Sequence, residues 1–194
     1  MRHDICLSGP AFRIRPITDS DAEFVLKLRT NPALNRFLHE TSSDVNEQLA
    51  WLSTYYERQG DYYFVIERNV SGTPEGVISL YNIEPRLRIG EWGRWILNPS
   101  SLAAVESAML IYRCAFDILK LDTVYCQTIA ANDSIVSFHD SCKIPERKLL
   151  PGYLECNGMK LDAIQHSLQG NCWADIDQRL FRLATLTARR LNSV

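Results

Sequence analysis

The 194-residue chain lacks a long apolar run: none approaches the roughly 18 or more consecutive apolar residues of a membrane-spanning helix. It also lacks an excess of either charge, since 21 Lys and Arg residues face 23 Asp and Glu residues, for a formal net charge of −2. Dedicated nucleic-acid-binding proteins usually carry a basic excess. The first residues are too polar for a signal peptide. We therefore expect a cytoplasmic protein that binds neither membrane nor nucleic acid.

The six cysteines include no CxxC pair, and their spacing is irregular. Structural zinc sites usually use such pairs, so we expect no metal and interpret all six as reduced thiols. The composition, with 46% hydrophobic and 23% charged residues, is ordinary for a globular protein. Because the chain has no internal repeat, low-complexity tract or charge block, we predict one domain over residues 1–194.

The periodicity of apolar residues predicts a mixed α/β fold. Strands are predicted at residues 12–17, 62–68, 76–83, 91–97, 124–129, 148–155 and 159–168, the last two joined by an Asn157-Gly158 turn. Helices are predicted from a capping box at Ser20 and Glu23, from Asp44, from near Leu102 to Leu119, from Asn132, and from Asp175 to Leu191. This order predicts an α/β domain with a mixed, mostly antiparallel twisted sheet flanked by helices.

The strand–loop–helix segment in residues 92–129 carries the most informative local pattern. A strand ending at Asn98-Pro99 delivers the chain to the start of a long helix near Leu102. The first amides of a helix have no intrahelical partner and lie at the positive end of its dipole, so they bind phosphate or pyrophosphate readily. A plain core crossover helix would show the same spacing, and no glycine occurs from residue 100 to residue 108.

The order of these segments resembles the GNAT superfamily of acyl-CoA-dependent N-acetyltransferases over nearly the whole chain. The stretch 91–97, the following loop and helix, residues 124–129 and residues 132–142 carry the resemblance. In that family the loop reads Gln/Arg-x-x-Gly-x-Gly/Ala, whereas residues 99–104 keep only the final small residue, and Leu102 replaces a glycine. The backbone amides at Leu102, Ala103, Ala104 and Val105 remain available, so the resemblance implies acetyl-CoA binding, weaker than with a glycine-rich loop.

The resemblance also implies roles for residues around the thioester. His139 lies where many family members place a tyrosine that protonates the sulfur of coenzyme A, and an imidazolium can serve that role. Asn132 would contact the pantetheine arm, and the backbone amides of Ile96 and Leu97 would polarise the acetyl carbonyl. Glu91 is the candidate general base. The alternatives are a partly exposed histidine beside Asp140, an N-cap at Asn132 and a solvated carboxylate at Glu91.

Two branches of the family are similar to different parts of the chain. Residues 27–32, 35–38 and 47–49 are similar to amino-sugar N-acetyltransferases of nonulosonic-acid and related surface-glycan pathways. Arg29, Gln48 and Trp92 would then face the acceptor, with Arg29 on a nucleotide phosphate. A surface salt bridge from Arg29 to Glu23 or Asp21 is the alternative. The region around the C-terminal hairpin is similar to Rim-type ribosomal-protein Nα-acetyltransferases.

These resemblances rank three hypotheses for function. The first is transfer of an acetyl group from acetyl-CoA to a primary amine on a nucleotide-linked amino sugar, by direct transfer in a ternary complex. The second is acetylation of a protein N-terminus, and the third is a non-catalytic acyl-CoA-binding domain. The expected partners are a small-molecule amine and a second copy of the chain in a homodimer.

Overall fold

The central strands are so apolar that both of their faces must be covered. In the computed structural model, which describes residues 1–38, 41–156 and 159–191, Phe64, Val65 and Ile66 are all fully buried although they alternate between faces. The described residues form eight strands: β1 (Leu7–Ser8), β2 (Phe12–Pro16), β3 (Tyr62–Arg68), β4 (Pro74–Glu84), β5 (Ile89–Leu97), β6 (Thr123–Ile129), β7 (Glu146–Cys156) and β8 (Met159–Gln169). They also form five α-helices: α1 (Ala22–Arg29), α2 (Val45–Tyr56), α3 (Ala104–Arg113), α4 (Asp133–Ser141) and α5 (Trp173–Leu191).

The strands form one sheet in the order β1-β2-β3-β4-β5-β6-β8-β7. The pairing of β5 with β6 is parallel, and the other neighbours are antiparallel. The predicted fold class is therefore confirmed. Strands β7 and β8 form the predicted hairpin, but its predicted turn at Asn157 and Gly158 lies outside the described residues. Within the described ranges, no helix is long and apolar enough to span a membrane.

Helices cover the two faces of the sheet with separate hydrophobic clusters. One face packs against α3 and α5 and includes Phe12, Trp92, Met109 and Leu180. The other packs against α1 and α2 and includes Val25, Leu52, Val65 and Ile96. Because neighbouring residues such as Val65 and Ile66 belong to different clusters, the sheet divides the molecule into an α3/α5 face and an α1/α2 face.

Two helix ends differ from the predictions. The capping box before α1 pairs Thr18 with Asp21, not Ser20 with Glu23, and Asp21 also binds Arg15 through both carboxylate oxygens at 2.7 Å. These bonds fix Asp21 in a short 3₁₀ turn that precedes the helix. The α-helix α3 ends at Arg113 and continues as one π-helical turn, Cys114–Ile118. Apolar spacing indicated the buried stripe correctly, but it does not distinguish α from π geometry.

Candidate active site

The sheet opens between its two parallel strands. The pairing of β5 with β6 covers three residue pairs and ends with Glu91 opposite Tyr125. Beyond that pair β5 stays with β4 as far as Leu97, and β6 stays with β8 as far as Ile129. The diverging strands therefore leave peptide groups of β5 without a β6 partner, in the segment that contains Ile96 and Leu97. Those groups are available to a bound molecule.

Glu91 lies at the closed end of this opening, and its side chain is buried. The residue is 7% exposed, and its carboxylate accepts hydrogen bonds from the Tyr81 hydroxyl at 3.0 Å and from the Asn82 side-chain amide at 2.9 Å. Gly93 leaves room for the first bond, since a Cβ there would lie 2.7 Å from the Tyr81 oxygen. The interpretation of Glu91 as a solvated strand-end carboxylate is therefore wrong.

The groups around Glu91 are neutral hydrogen-bonding side chains. Burial and the negative charge of Glu91 raise the pKa of Tyr81, and they raise the pKa of Tyr125 to about 12. Both hydroxyls therefore stay protonated at neutral pH. Among the described residues, no cationic nitrogen lies within 4.0 Å of the Glu91 carboxylate. Neutral hydroxyl and amide donors therefore bind the carboxylate, and none of these residues forms an ion pair with it.

The N-terminus of α3 presents its first amides at the surface. The first helical bond runs from the Ser107 amide to the Ala103 carbonyl at 2.8 Å, so the amides of Ala104 and Val105 precede the hydrogen-bond ladder. Ala103 is fully buried, whereas Leu102 is 49% exposed and extends into solvent. The Leu102 side chain therefore does not cover the free amides at the start of α3.

The side chains around this helix end are held by the protein itself. The Ser101 hydroxyl accepts a bond from the Ala103 amide at 3.1 Å and donates to Glu75 at 2.6 Å. The buried Glu106 carboxylate accepts bonds from the amides of Ala11 and Phe12 at 2.9 and 2.8 Å. Its negative charge is thus directed towards the strands rather than towards a ligand. Burial raises the pKa of Glu106 despite these bonds.

Asn132 precedes the first residue of α4 and is half-buried. Its backbone carbonyl accepts bonds from Ile135 and Val136, but its side chain caps no amide of α4. The side-chain oxygen accepts a bond from the Ser134 hydroxyl at 3.3 Å. The residue therefore occupies the N-cap position without using its side chain as the cap, and its amide group is available for another contact.

The structure contradicts both interpretations of His139. The residue is 2% exposed, its ring centroid lies 5.2 Å from that of Trp92, and its Nε2 lies 3.5 Å from the Cys126 sulfur. Burial, with a smaller contribution from the charge of His166, lowers the pKa of His139 to about 3. The ring is therefore a neutral core group at neutral pH. It is neither an imidazolium acid nor partly exposed, and the Asp140 carboxylate pairs with His166 instead, at 2.9 Å.

A pocket of about 450 Å³ lies on the α1/α2 face and brings Arg29 and Gln48 together. The Arg29 Nε donates to the Thr41 hydroxyl at 2.9 Å, and Asp21 is bound by Arg15, so the expected salt bridge from Arg29 to Asp21 or Glu23 is not formed. Sequence reasoning missed most of the other lining residues, which include Glu47, Trp51, Arg58, Tyr63 and Arg94.

Trp92 does not belong to this pocket. It is 2% exposed in the cluster under α3, where its ring centroid lies 5.6 Å from that of Tyr112. The prediction that Trp92 contacts the acceptor is therefore wrong, because its side chain faces the opposite side of the sheet from Arg29 and Gln48. Strand alternation could not show which face is the acceptor side.

Arg94 connects the pocket to Glu91. The residue has a left-handed backbone (φ 47°) where the register of β4 with β5 shifts between Val77 and Ser79. Its guanidinium binds the Asp61 carboxylate at 2.7 Å and lies 4.3 Å from the centre of the Tyr81 ring, whose hydroxyl donates to Glu91. Arg94 therefore lines the pocket and, through the Tyr81 ring, connects it to the buried carboxylate.

The free amides at the start of α3 lie on the α3/α5 face of the sheet, and the pocket that contains Arg29 and Arg94 lies on the α1/α2 face. The chain belongs to the acetyltransferase (GNAT) domain family, whose sequence profile matches residues 12–143. It is therefore an acetyl-CoA-dependent acetyltransferase. Membership of this enzyme family argues against the hypothesis of a non-catalytic acyl-CoA-binding domain.

Solved structures agree with this assignment. The chain is 26% identical to apo FdhC, a nucleotide-linked sugar GNAT, with 91% of this chain and 97% of that chain covered and a TM-score of 0.76. It is 18% identical to spermidine N-acetyltransferase from Vibrio cholerae in complex with CoA and spermine, with 84% and 98% covered and a TM-score of 0.75. A search of curated proteins finds no match.

Proposed function

We propose that the protein acetylates a primary amine on a nucleotide-linked amino sugar by direct transfer in a ternary complex. The observation that carries this proposal is the set of three arginines, Arg29, Arg58 and Arg94, that lines the pocket beside Glu91. Guanidinium groups bind phosphate oxygens through paired hydrogen bonds, so they suit the diphosphate of such a substrate. The similarity to a nucleotide-linked sugar GNAT supports the same acceptor class.

The charge of the pocket disfavours a polyamine acceptor. Arg58 and Arg94 both face Asp61, at 3.7 and 2.7 Å, and Glu47 is the acidic residue of the lining. The Arg29 Nε donates to the neutral Thr41 hydroxyl, and no ion pair joins Arg29 to a carboxylate of the described residues. Among the described lining residues three are arginines and one, Glu47, is acidic, so the lining favours an anionic acceptor over spermidine, and the spermidine enzymes share the fold without supporting that substrate here.

The donor would be held by backbone groups on the far side of Glu91. The first-turn amides of α3, at Ala104 and Val105, would bind the diphosphate of coenzyme A, and the Asn132 side chain would contact the pantetheine arm. Amides along β5 alternate between β4 and the opening, and the Asn98 amide donates to Glu75 of β4. The Leu97 amide would therefore face the opening and polarise the acetyl carbonyl, whereas the Ile96 amide pairs with Val77. Bound acetyl-CoA supplies the thioester carbon that the amine attacks.

Glu91 would take a proton from the acceptor ammonium, directly or through one water molecule. A carboxylate that is buried and held by Tyr81 and Asn82 has a fixed orientation, which a general base requires. Because burial keeps His139 neutral, we assign it no proton-donating role towards the leaving thiolate. Its packing against Trp92 and Phe138 gives it a structural role instead.

The acceptor class is tested by incubating the purified protein with acetyl-CoA and four amines, with release of free coenzyme A thiol as the readout. The amines are a nucleoside-diphosphate-linked amino sugar, the same amino sugar without the nucleotide, spermidine, and a peptide with a free N-terminus. We expect the first to be turned over with the highest kcat/KM. Faster acetylation of the peptide would favour a Rim-type function, and faster acetylation of spermidine would contradict the proposal.

A further inference from the structure

Asn82 combines an unusual backbone with a bond to the buried carboxylate. Its φ is 49°, in the left-handed region, and it lies in β4 where the register with β5 shifts between Tyr81 and Glu84. Its side-chain amide donates to the second oxygen of Glu91, whereas the Tyr81 hydroxyl donates to the first. Asparagine tolerates the left-handed region better than most residues, and backbone strain of this kind concentrates at functional sites.

We propose that Asn82 is a positioning residue for Glu91, an inference that rests on the proposed role of Glu91 as the general base. The two donors take one carboxylate oxygen each and so fix the rotation of the carboxylate towards the opening of the sheet. Both donors are neutral. Asn82 therefore orients the negative charge without compensating it, whereas a lysine or arginine at the same place would lower the basicity of the carboxylate.

The side chains that face Glu91 are neutral. A charge introduced at residue 82 would therefore act on the Glu91 carboxylate without compensation from these neighbours. Tyr81 on β4, Tyr125 on β6 and Tyr153 on β7 are neutral, because burial and Glu91 raise their pKa values. The cationic side chain of Arg94 lies against the ring of Tyr81 and is paired with Asp61. A second carboxylate at residue 82 would lie within hydrogen-bonding distance of Glu91 and would raise the pKa of the pair.

The test is the full-length Asn82→Asp variant, which keeps the shape and the left-handed tolerance of asparagine but removes the donor. We expect kcat/KM to fall about 10-fold at every pH because the donor is lost, and we also expect the acidic limb of the pH profile to move to higher pH because a second carboxylate faces Glu91. The acceptor is the nucleoside-diphosphate-linked amino sugar. Gln178→Glu, on the exposed face of α5, is the matched control and should leave the profile unchanged. A kcat/KM equal to that of the wild type above the acidic limb in Asn82→Asp would contradict positioning.

Two further variants separate this inference from the proposed base. Asn82→Gly relieves the left-handed backbone, so we expect a Tm at or above that of the wild type together with a lower kcat. A wild-type kcat in Asn82→Gly would overturn the positioning role. Glu91→Gln should abolish transfer. If Glu91→Gln is inactive and both Asn82 variants have the wild-type pH profile, Glu91 remains the general base and the positioning role of Asn82 is rejected. If Glu91→Gln is fully active, the role of Glu91 as general base is itself rejected.

Discussion

Glu91 and Tyr125 form the last pair of the parallel strands β5 and β6, and the sheet opens directly beyond them. The same pair therefore ends the backbone hydrogen bonding and places a buried carboxylate at the closed end of the opening. On one side lies the N-terminus of α3, and on the other lies the arginine-lined pocket. In the proposed function, one carboxylate would serve a donor and an acceptor that approach from different sides.

The contact between Gly93 and Tyr81 predicts the effect of one added methyl group. In Gly93→Ala the new Cβ would lie 2.7 Å from the Tyr81 oxygen, so the hydroxyl has to leave its bond to Glu91. We expect kcat to fall about 10-fold, as the loss of a hydrogen bond to a charged group predicts, with the KM for acetyl-CoA unchanged. Steady-state kinetics measures both constants. Gly170→Ala, whose Cβ would make ordinary contacts from 3.5 Å, is the control.

The exposed Leu102 allows the anion-binding role of the α3 N-terminus to be tested by charge. In Leu102→Asp the carboxylate would stabilise the helix by interacting with its dipole, but it would repel a bound diphosphate. We expect a Tm that is unchanged or higher and an affinity for coenzyme A that is about 10-fold lower, with less loss at high salt. Calorimetry with coenzyme A and with pantetheine, which has no diphosphate, measures the difference. Equal losses for the two ligands would place the diphosphate elsewhere, and Leu102→Asn is the uncharged control.

The buried position of His139 predicts that its ring matters more for stability than for chemistry. His139→Phe should keep the packing against Trp92 and leave kcat nearly unchanged, whereas His139→Ala should cost about 3 kcal/mol of unfolding free energy. Denaturant unfolding and steady-state kinetics of both variants measure these effects. A stable His139→Phe protein without activity would restore a chemical role for the imidazole.

The same residue predicts a pH dependence of stability. The folded pKa of His139, about 3, lies below its ordinary value of 6.5, so the unfolded chain binds a proton that the folded chain does not. Its contribution to stability is therefore complete above pH 6.5 and is lost as the pH falls from 6.5 towards 3. As the pH falls through this range, the free energy of unfolding of the wild type should decrease by up to about 1.4 kcal/mol per pH unit more than that of His139→Phe. Identical slopes for the two proteins would contradict the burial argument.

Glu106 predicts a stability change of the opposite sign. Burial raises the folded pKa of Glu106, so the cost of ionising it is absent at low pH and grows as the pH rises from the unfolded pKa through the folded pKa. Glu106→Gln retains one oxygen that can accept from Ala11 and Phe12 and carries no charge. We therefore expect a higher Tm than the wild type at pH 7 and no gain in acid. Thermal unfolding at both pH values measures this, and a lower Tm at pH 7 would show that the charged form is required.

Sequence periodicity predicted the sheet class and the strand–loop–helix segment because those depend on local apolar spacing. The resemblance to amino-sugar N-acetyltransferases, and not periodicity, selected Arg29 and Gln48, which lie in one pocket although they are on different helices. Periodicity failed at β5, where Arg94 interrupts the alternation: Trp92 and Trp95 both pack on the α3/α5 face, while Arg94 projects to the pocket. A bulge of this kind has no clear signature in a single sequence.

The environment of His139 depends on contacts that sequence spacing does not contain. Its spacing from Asn132 corresponds to the position where many family members have a tyrosine. Its burial, however, comes from Cys126 on β6 and His166 on β8, which are remote in the chain. The donors to Glu91 were missed for the same reason. Asn82 lies on the neighbouring strand, and only the register of β4 with β5 brings its amide to the carboxylate.

The most direct test of the proposed function is the ratio of kcat/KM for a nucleoside-diphosphate-linked amino sugar to that for the same amino sugar without the nucleotide. We predict a ratio of at least about 100 in the wild type, as two charge-assisted hydrogen bonds would give, and loss of most of it in Arg29→Ala. Arg182→Ala, an exposed arginine on α5, should retain the ratio. A ratio near one in the wild type, or a higher kcat/KM for spermidine, would contradict the account.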